Sequence, residues 1–191
     1  MKKFLFILLL FVQCMNAQDT MKSGLSKRHN EFRVNILTLI ATSKLNLTYE
    51  RFLSKNYSLG LSGNYSNSKK VNDDFDQGFR NTFQKYEITP FARYNFTTSI
   101  NRYYFAEVFV SANGGNFRET VRLVDENNYG YYAIQKTTYT DLAIGASAGY
   151  KMYFKEKFGI EIIVGIGRNL INRAKSSDFP PRVGLSFGYR F

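Results

Sequence analysis

The chain has 191 residues, a formal charge of +11, 44% hydrophobic and 17% aromatic residues, and one cysteine. Its length fits one domain, and a single cysteine excludes a disulfide framework. No apolar run reaches the roughly 20 residues of a membrane helix, but a membrane strand shows lipid only every second side chain and needs no such run.

Met1-Lys2-Lys3 followed by the apolar stretch Phe4 to Val12 predicts a signal peptide over residues 1–17, cleaved after Ala17. Cys14 follows Gln13, where a lipid-attachment signal would place a small residue, so lipidation is not expected. Loss of Lys2 and Lys3 leaves a charge of +9, carried by scattered rather than clustered bases. No nucleic-acid motif accompanies them, so no nucleic-acid partner is expected. Residues 18–30 are polar and read as a periplasmic lead-in, and residues 31–191 as the barrel domain.

Eight segments then alternate large apolar residues with small or polar ones, the period of a strand. They run Phe32 to Ile40, Lys44 to Phe52, Tyr57 to Asn67, Thr82 to Phe96, Arg102 to Asn113, Thr138 to Phe154, Phe158 to Gly167, and Pro181 to Phe191. Most are long enough for a tilted membrane strand of about 9–11 residues. The first is the least regular, because Asn35, Thr38 and the Leu37/Leu39 pair blur its faces. Pro90 in the fourth removes a ladder donor and predicts a bulge or kink near Thr89-Pro90. Connections after the second, fourth and sixth segments are short (Ser54 to Asn56, Thr97 to Asn101, Lys155 to Lys157). Those after the third, fifth and seventh are long (Ser68 to Asn81, Gly114 to Thr137, Arg168 to Pro180), whereas Ala41 to Ser43 is short. Short periplasmic turns and long outer loops are the rhythm of a bacterial outer-membrane barrel.

The final segment shows which face points out. Val183, Leu185, Phe187, Tyr189 and Phe191 share one face, and Arg182, Gly184, Ser186, Gly188 and Arg190 the other. Small residues recur on the second face of the late segments, including Gly145, Ser147, Gly149, Gly159 and Gly165. They suit a crowded interior, whereas a solvated exterior favours Lys, Glu and Thr. Aromatic residues near segment ends, such as Tyr57, Tyr65, Tyr86, Phe96, Tyr150 and Phe154, fit two interfacial girdles. The fold expected is all-β: an eight-stranded antiparallel up-and-down transmembrane β-barrel.

The leader, the eight segments, the loop rhythm and the ending Gly188-Tyr189-Arg190-Phe191 resemble the small outer-membrane β-barrel proteins of Gram-negative bacteria. The stretch Leu45 to Leu53 followed by Tyr57-Ser58-Leu59-Gly60 is similar to the opening hairpin of an uncharacterised family within that group. The resemblance implies residence in the cell outer membrane, contact with its lipids, and insertion by the barrel-insertion machinery. It also implies that Phe187, Tyr189 and Phe191 carry the assembly signal.

Nine charged residues fall on the inward face: Arg33, Glu50, Glu87, Arg93, Glu107, Lys151, Glu161, Arg182 and Arg190. The interior of an eight-stranded barrel is just wide enough for side chains to fill, and a charge buried there must pair. They read as a network closing the lumen, with a narrow channel for small solutes as the alternative and a soluble lipocalin-like carrier as the second. The sole histidine, His29, precedes the first strand and matches no hydrolase position, so no enzyme activity and no catalytic site are expected. Asp73, Asp74 and Asp76 lack the spacing of a calcium loop, and neither a metal nor a cofactor is expected. The loop Gly114 to Thr137 carries Phe117, Tyr129, Tyr131 and Tyr132, the residues expected to meet a surface ligand. The competing reading has these aromatics extend the barrel hairpin. The protein is expected to be a monomer with a structural or surface-recognition role.

Overall fold

A computed structural model describes residues 28–96, 101–126, 128–172 and 175–191. The expected signal peptide and most of the lead-in lie outside them. Eight strands form a closed antiparallel barrel in chain order: β1 (Asn30–Asn35), β2 (Lys44–Phe52), β3 (Tyr57–Ser66), β4 (Thr82–Asn95), β5 (Arg102–Val124), β6 (Gly130–Phe154), β7 (Phe158–Asn169) and β8 (Pro181–Arg190). Each strand pairs with its sequence neighbours, and β1 closes on β8 from Glu31 with Arg190 to Asn35 with Ser186.

Burial is inverted relative to a water-soluble protein. Glu31, Glu50 and Lys151 are fully buried, while Ile162 and Val164 are 53% and 60% exposed. Every strand shows the alternation: Leu45 and Leu47, Leu59 and Leu61, Val108 and Val110, and Leu185 and Phe187 all stand on the outside. The result is a transmembrane barrel of the outer-membrane type, since only lipid accepts such a belt without penalty. A lipocalin-like carrier needs the opposite arrangement, an apolar interior, and the polar lumen overturns that alternative.

Aromatic rings meet one another around the short-turn end. Tyr57 and Tyr94 lie 5.1 Å apart, Tyr104 and Tyr150 4.9 Å, Phe158 and Tyr189 5.5 Å, and Phe32 and Phe191 6.0 Å between centroids. The other end is marked more sparsely, by Tyr65 and by Tyr86, whose hydroxyl reaches Thr140 Oγ1 at 3.1 Å.

The structure departs from the sequence reading at four places. The first strand stops at Asn35 instead of Ile40, and Ile36–Thr42 forms a helix, α1. Asn35 caps it, its Oδ1 accepting from Thr38 N at 3.2 Å, and Ser43 ends it in the left-handed region with φ 52°. The blurred alternation of Leu37, Thr38 and Leu39 is therefore a change of period, not a poor strand. The connection after it is no three-residue turn. The second departure is at Pro90. The β3–β4 register runs unbroken through Leu61 opposite Pro90, and the β4–β5 pairs merely lapse at Thr89 and Pro90. The register shift lies instead between Gln84 and Tyr86, opposite Gly115. A Cβ on Gly115 would collide with the Phe83 carbonyl, so the bulge requires glycine.

Third, the long stretch after β5 is not a loop but extends the hairpin, as the competing reading of its aromatics has it. Both strands continue beyond the barrel to Val124 and from Gly130, with Leu123 opposite Tyr131 and Arg122 opposite Tyr132. Fourth, the connection 67–81 contains a second helix, α2 (Lys69–Gln77). Its Val71 and Phe75 pack on Phe83. Arg118 Nη1 fixes its far end by donating to the Phe75 and Asp76 carbonyls at 2.7 and 2.9 Å.

Ile162→Arg, at the middle of β7 and facing out, should cost about 2–4 kcal/mol, and Thr140→Arg, outward but beyond the belt, about 1 kcal/mol or less. Urea unfolding from phospholipid vesicles measures both.

Candidate functional site

The inward side chains form three layers along the barrel axis. At the short-turn end Phe52, Tyr103 and Tyr153 close the bore, with the Tyr103 and Tyr153 hydroxyls 3.2 Å apart. The Arg190 guanidinium lies over Phe52 at 4.1 Å and Tyr153 at 5.0 Å, and its Nε donates to the Arg28 carbonyl.

Above this floor sits a cluster of four acids and four bases. Arg93 Nη2 meets Glu107 at 2.7 Å, and its Nη1 meets Glu161 at 2.7 Å and Glu50 at 3.1 Å. Lys151 Nζ reaches Glu50, Glu31 and Glu161 at 2.8, 3.0 and 3.1 Å. Arg33 bridges Glu31, Glu50 and Glu161, and Arg182 Nε donates to Glu107 at 2.9 Å. Neutral donors complete the carboxylates: Ser58 to Glu50, Ser147 to Glu107, and the Tyr153 hydroxyl to Glu31. The Phe105 ring packs under Arg93 at 3.7 Å. Equal numbers of acids and bases leave no net buried charge, the condition under which ions survive in a low dielectric.

Seven of the nine residues expected in the lumen join this cluster. Glu87 and Arg190 point inward as anticipated but do not join it, Glu87 lying toward the long-loop end and Arg190 in the aromatic floor. Glu31 is the member the sequence reading missed. Its signal was available: it stands two residues before Arg33 on the same face.

The third layer is a vestibule at the long-loop end, a partly open cavity of about 430 Å³ whose wall includes Lys44, Asn46, Asn64, Gln84 and Glu87. Arg33 and Glu161 of the charge cluster form its base. Glu87 accepts from Asn64 Nδ2 at 2.6 Å, Ser111 Oγ at 2.7 Å and Thr89 Oγ1 at 3.2 Å. Lys44 Nζ donates to Gln84 Oε1 at 3.1 Å.

Above the apolar belt Asp141 clasps the connection between β7 and β8. Its carboxylate accepts from the backbone N–H groups of Leu142, Ile171 and Asn172 at 2.7, 2.9 and 3.0 Å, and from Ser176 Oγ at 2.6 Å. Burial alone would raise the Asp141 pKa. The bonds from Ser176, Ile171, Leu142 and Asn172 outweigh it and hold the carboxyl below its ordinary value.

The remaining sequence candidates are dispersed. Phe187, Tyr189 and Phe191 project outward from the end of the chain. Tyr129, Tyr131 and Tyr132 are exposed at the tip of the β5–β6 hairpin, and Phe117 is half-buried at its base. His29 is exposed, its carbonyl accepting from Phe52 N. Asp74 and Asp76 are ion-paired with Arg80 and Lys136. Among the described residues no three His, Cys, Asp or Glu side chains are grouped to hold a metal ion.

Glu50→Ala takes one shared carboxylate from Arg33, Arg93 and Lys151, leaves the buried cluster with one base in excess, and should cost about 3–5 kcal/mol in urea unfolding. Asp141 contributes stability that is complete above its unfolded pKa of about 3.9 and is lost as pH falls through the lower folded value. Amides of Ile171 and Asn172 should keep their hydrogen-exchange protection from pH 7 down to about pH 4 and lose it only as pH falls further, through the lowered folded value. In Asp141→Asn that pH dependence should vanish.

Comparison with solved structures finds the N-terminal β-barrel domain of OprF from Pseudomonas aeruginosa, 15% identical with a TM-score of 0.51, the match covering 86% of this chain and 98% of that one. It also finds the attachment invasion locus protein Ail of Yersinia pestis, 11% identical with a TM-score of 0.46, covering 87% and 100%. The OprF likeness is one of fold. No curated protein matches the chain. The sequence does match a family over residues 4–180, nearly its whole length, and the chain therefore belongs to the family described as "Protein of unknown function (DUF3575)".

Proposed function

We propose that this chain is a non-catalytic, monomeric barrel of the bacterial outer membrane that seals its own bore and serves as a rigid mount for surface-exposed elements. In this reading residues 1–17 export the chain, residues 18–30 lead into the barrel domain of residues 31–191, and the barrel-insertion machinery reads Phe187, Tyr189 and Phe191. The observation that carries it is the lumen: a neutral four-acid, four-base cluster over the Phe52, Tyr103 and Tyr153 floor. A narrow solute channel would require a continuous polar path, and here two successive layers of side chains occupy it.

The surface half of the reading rests on the β5–β6 hairpin. It rises beyond the barrel as paired strand, and Tyr129 and Tyr132 are 73% and 75% exposed at its tip. Tyrosines displayed on a rigid ribbon provide contact area at low entropic cost.

Planar-bilayer recording of the purified barrel should give no steady open level, whereas a reproducible ohmic level would establish the channel instead. Replacing Tyr129, Tyr131 and Tyr132 together with Ser should leave stability within about 0.5 kcal/mol and preserve the mobility shift on boiling, because these side chains sit on the mount and not in it.

A further inference from the structure

The barrel wall is incomplete in its long-loop half at the position of β1. Pairing of β1 with β2 ends at Val34 opposite Leu47, and pairing with β8 ends at Asn35 opposite Ser186. Beyond that level Lys44 to Asn46 pair only with β3, and Pro181 to Leu185 only with β7. Helix α1 stands in the gap, in contact with both β2 and β8. The gap lies at lipid depth: Val183 and Leu185, on its edge, are 45% and 41% exposed on the outer face of the belt. Open sheet edges are tolerated at that depth only where they line a cavity or are covered by protein. Pro181 fits such an edge, because proline is tolerated where a strand begins with a partner on one side only.

The cavity borders this gap. Leu37 and Thr38 of α1 and Val183 of β8 line it on this side. The helix therefore forms the cavity wall here, in place of the paired strands that close the barrel elsewhere. α1 itself buries none of its residues and exposes Leu39 and Ile40. On this side a helix with exposed apolar residues, and not a paired strand, stands between the belt and a polar chamber.

The chamber holds two charges outside the neutral cluster. Among the described residues Lys44, beside the gap, has only the neutral Gln84 amide as its hydrogen-bond partner. Glu87 is satisfied by Asn64, Ser111 and Thr89, all neutral. Among the described residues neither forms an ion pair. Glu87 is in register with Asn64 and hence Asn46, one inward position deeper than Lys44. The base is met first on entering from the gap and the acid second.

We propose that this vestibule is a lateral-access binding site for a zwitterionic membrane amphiphile, whose acyl chain stays in the belt against the outer face of α1 and β8 and whose head group enters past the helix with its anion at Lys44 and its ammonium at Glu87. The order of charges along the path matches a head group with phosphate next to the chain and ammonium at the end. The dead end of the site rests on the sealed bore proposed above, and bilayer recording tests that seal separately from lipid binding.

The test uses the full barrel in neutral maltoside micelles, titrated with monoacyl phosphatidylethanolamine and followed by amide NMR shifts. The controls are monoacyl phosphatidylglycerol and chain-free phosphoethanolamine. Monoacyl phosphatidylethanolamine should saturate at one per barrel and bind at least about tenfold tighter than phosphoethanolamine. Lys44→Gln should weaken both lipids about tenfold, whereas Glu87→Gln should weaken the ethanolamine lipid alone. A nitroxide near the carboxyl end of the acyl chain should broaden amides of α1 and residues 181–185 ahead of the rest of the belt, a readout that needs no variant. Equal binding of phosphoethanolamine, unchanged affinity in both variants, or uniform broadening around the belt would each overturn the proposal.

Discussion

The structure depends on charge neutrality at the middle of a narrow bore. Glu31, Glu50, Glu107 and Glu161 share Arg33, Arg93, Lys151 and Arg182 so that each carboxylate faces at least one cation. In a barrel with lipid outside and little room inside, an unmatched charge here could neither reach water nor find another partner. The other features follow from accommodating this cluster. Small inward residues such as Gly60 and Gly145 leave space for Phe91 and Phe109, whose rings lie beneath the guanidinium groups. The aromatic floor shields the cluster on one side, and the vestibule begins where the bases and acids run out.

Much of this was legible because a membrane barrel writes its two solvents into alternate residues. Val183, Leu185 and Phe187 against Arg182, Gly184 and Ser186 gave both the strand and its orientation, and the same period identified seven of the eight cluster residues. Glu31 escaped because it sits where the pattern starts, before any outward partner declares the face. Helix α1 escaped for a different reason. Leu37, Leu39 and Ile40 are apolar whether the segment is a strand in the belt or a helix laid against it, since both are exposed to lipid. What separates the two is Asn35 as a cap and Ser43 as a left-handed stop, signals that sequence alone also permits in a turn.

The extended β5–β6 hairpin was open between two readings because its tip is aromatic. Tyr131 opposite Leu123 makes a cross-strand pair, which favours strand continuation. Pro90 misled in the other direction. A proline in a closed sheet suggested a bulge at its own position, yet the irregularity settled five to six residues earlier, where Gly115 lets the chains approach. A missing donor costs one bond and leaves the register intact, whereas an inserted residue shifts it.

The distribution of the cluster along the chain bears on how the barrel comes together. The β4–β5 hairpin gives the cluster Arg93 with Glu107, and the β6–β7 hairpin gives it Lys151 with Glu161, so each central hairpin adds one acid and one base to it. To the same cluster the β1–β2 pair adds Glu31 and Glu50 against Arg33, one acid in surplus, and β8 adds Arg182, one base in surplus. The unbalanced charges of opposite sign thus reside in the two ends of the sheet. A nearly finished barrel has complementary edges drawn toward each other, and the final seam is where the electrostatic account of the lumen is settled.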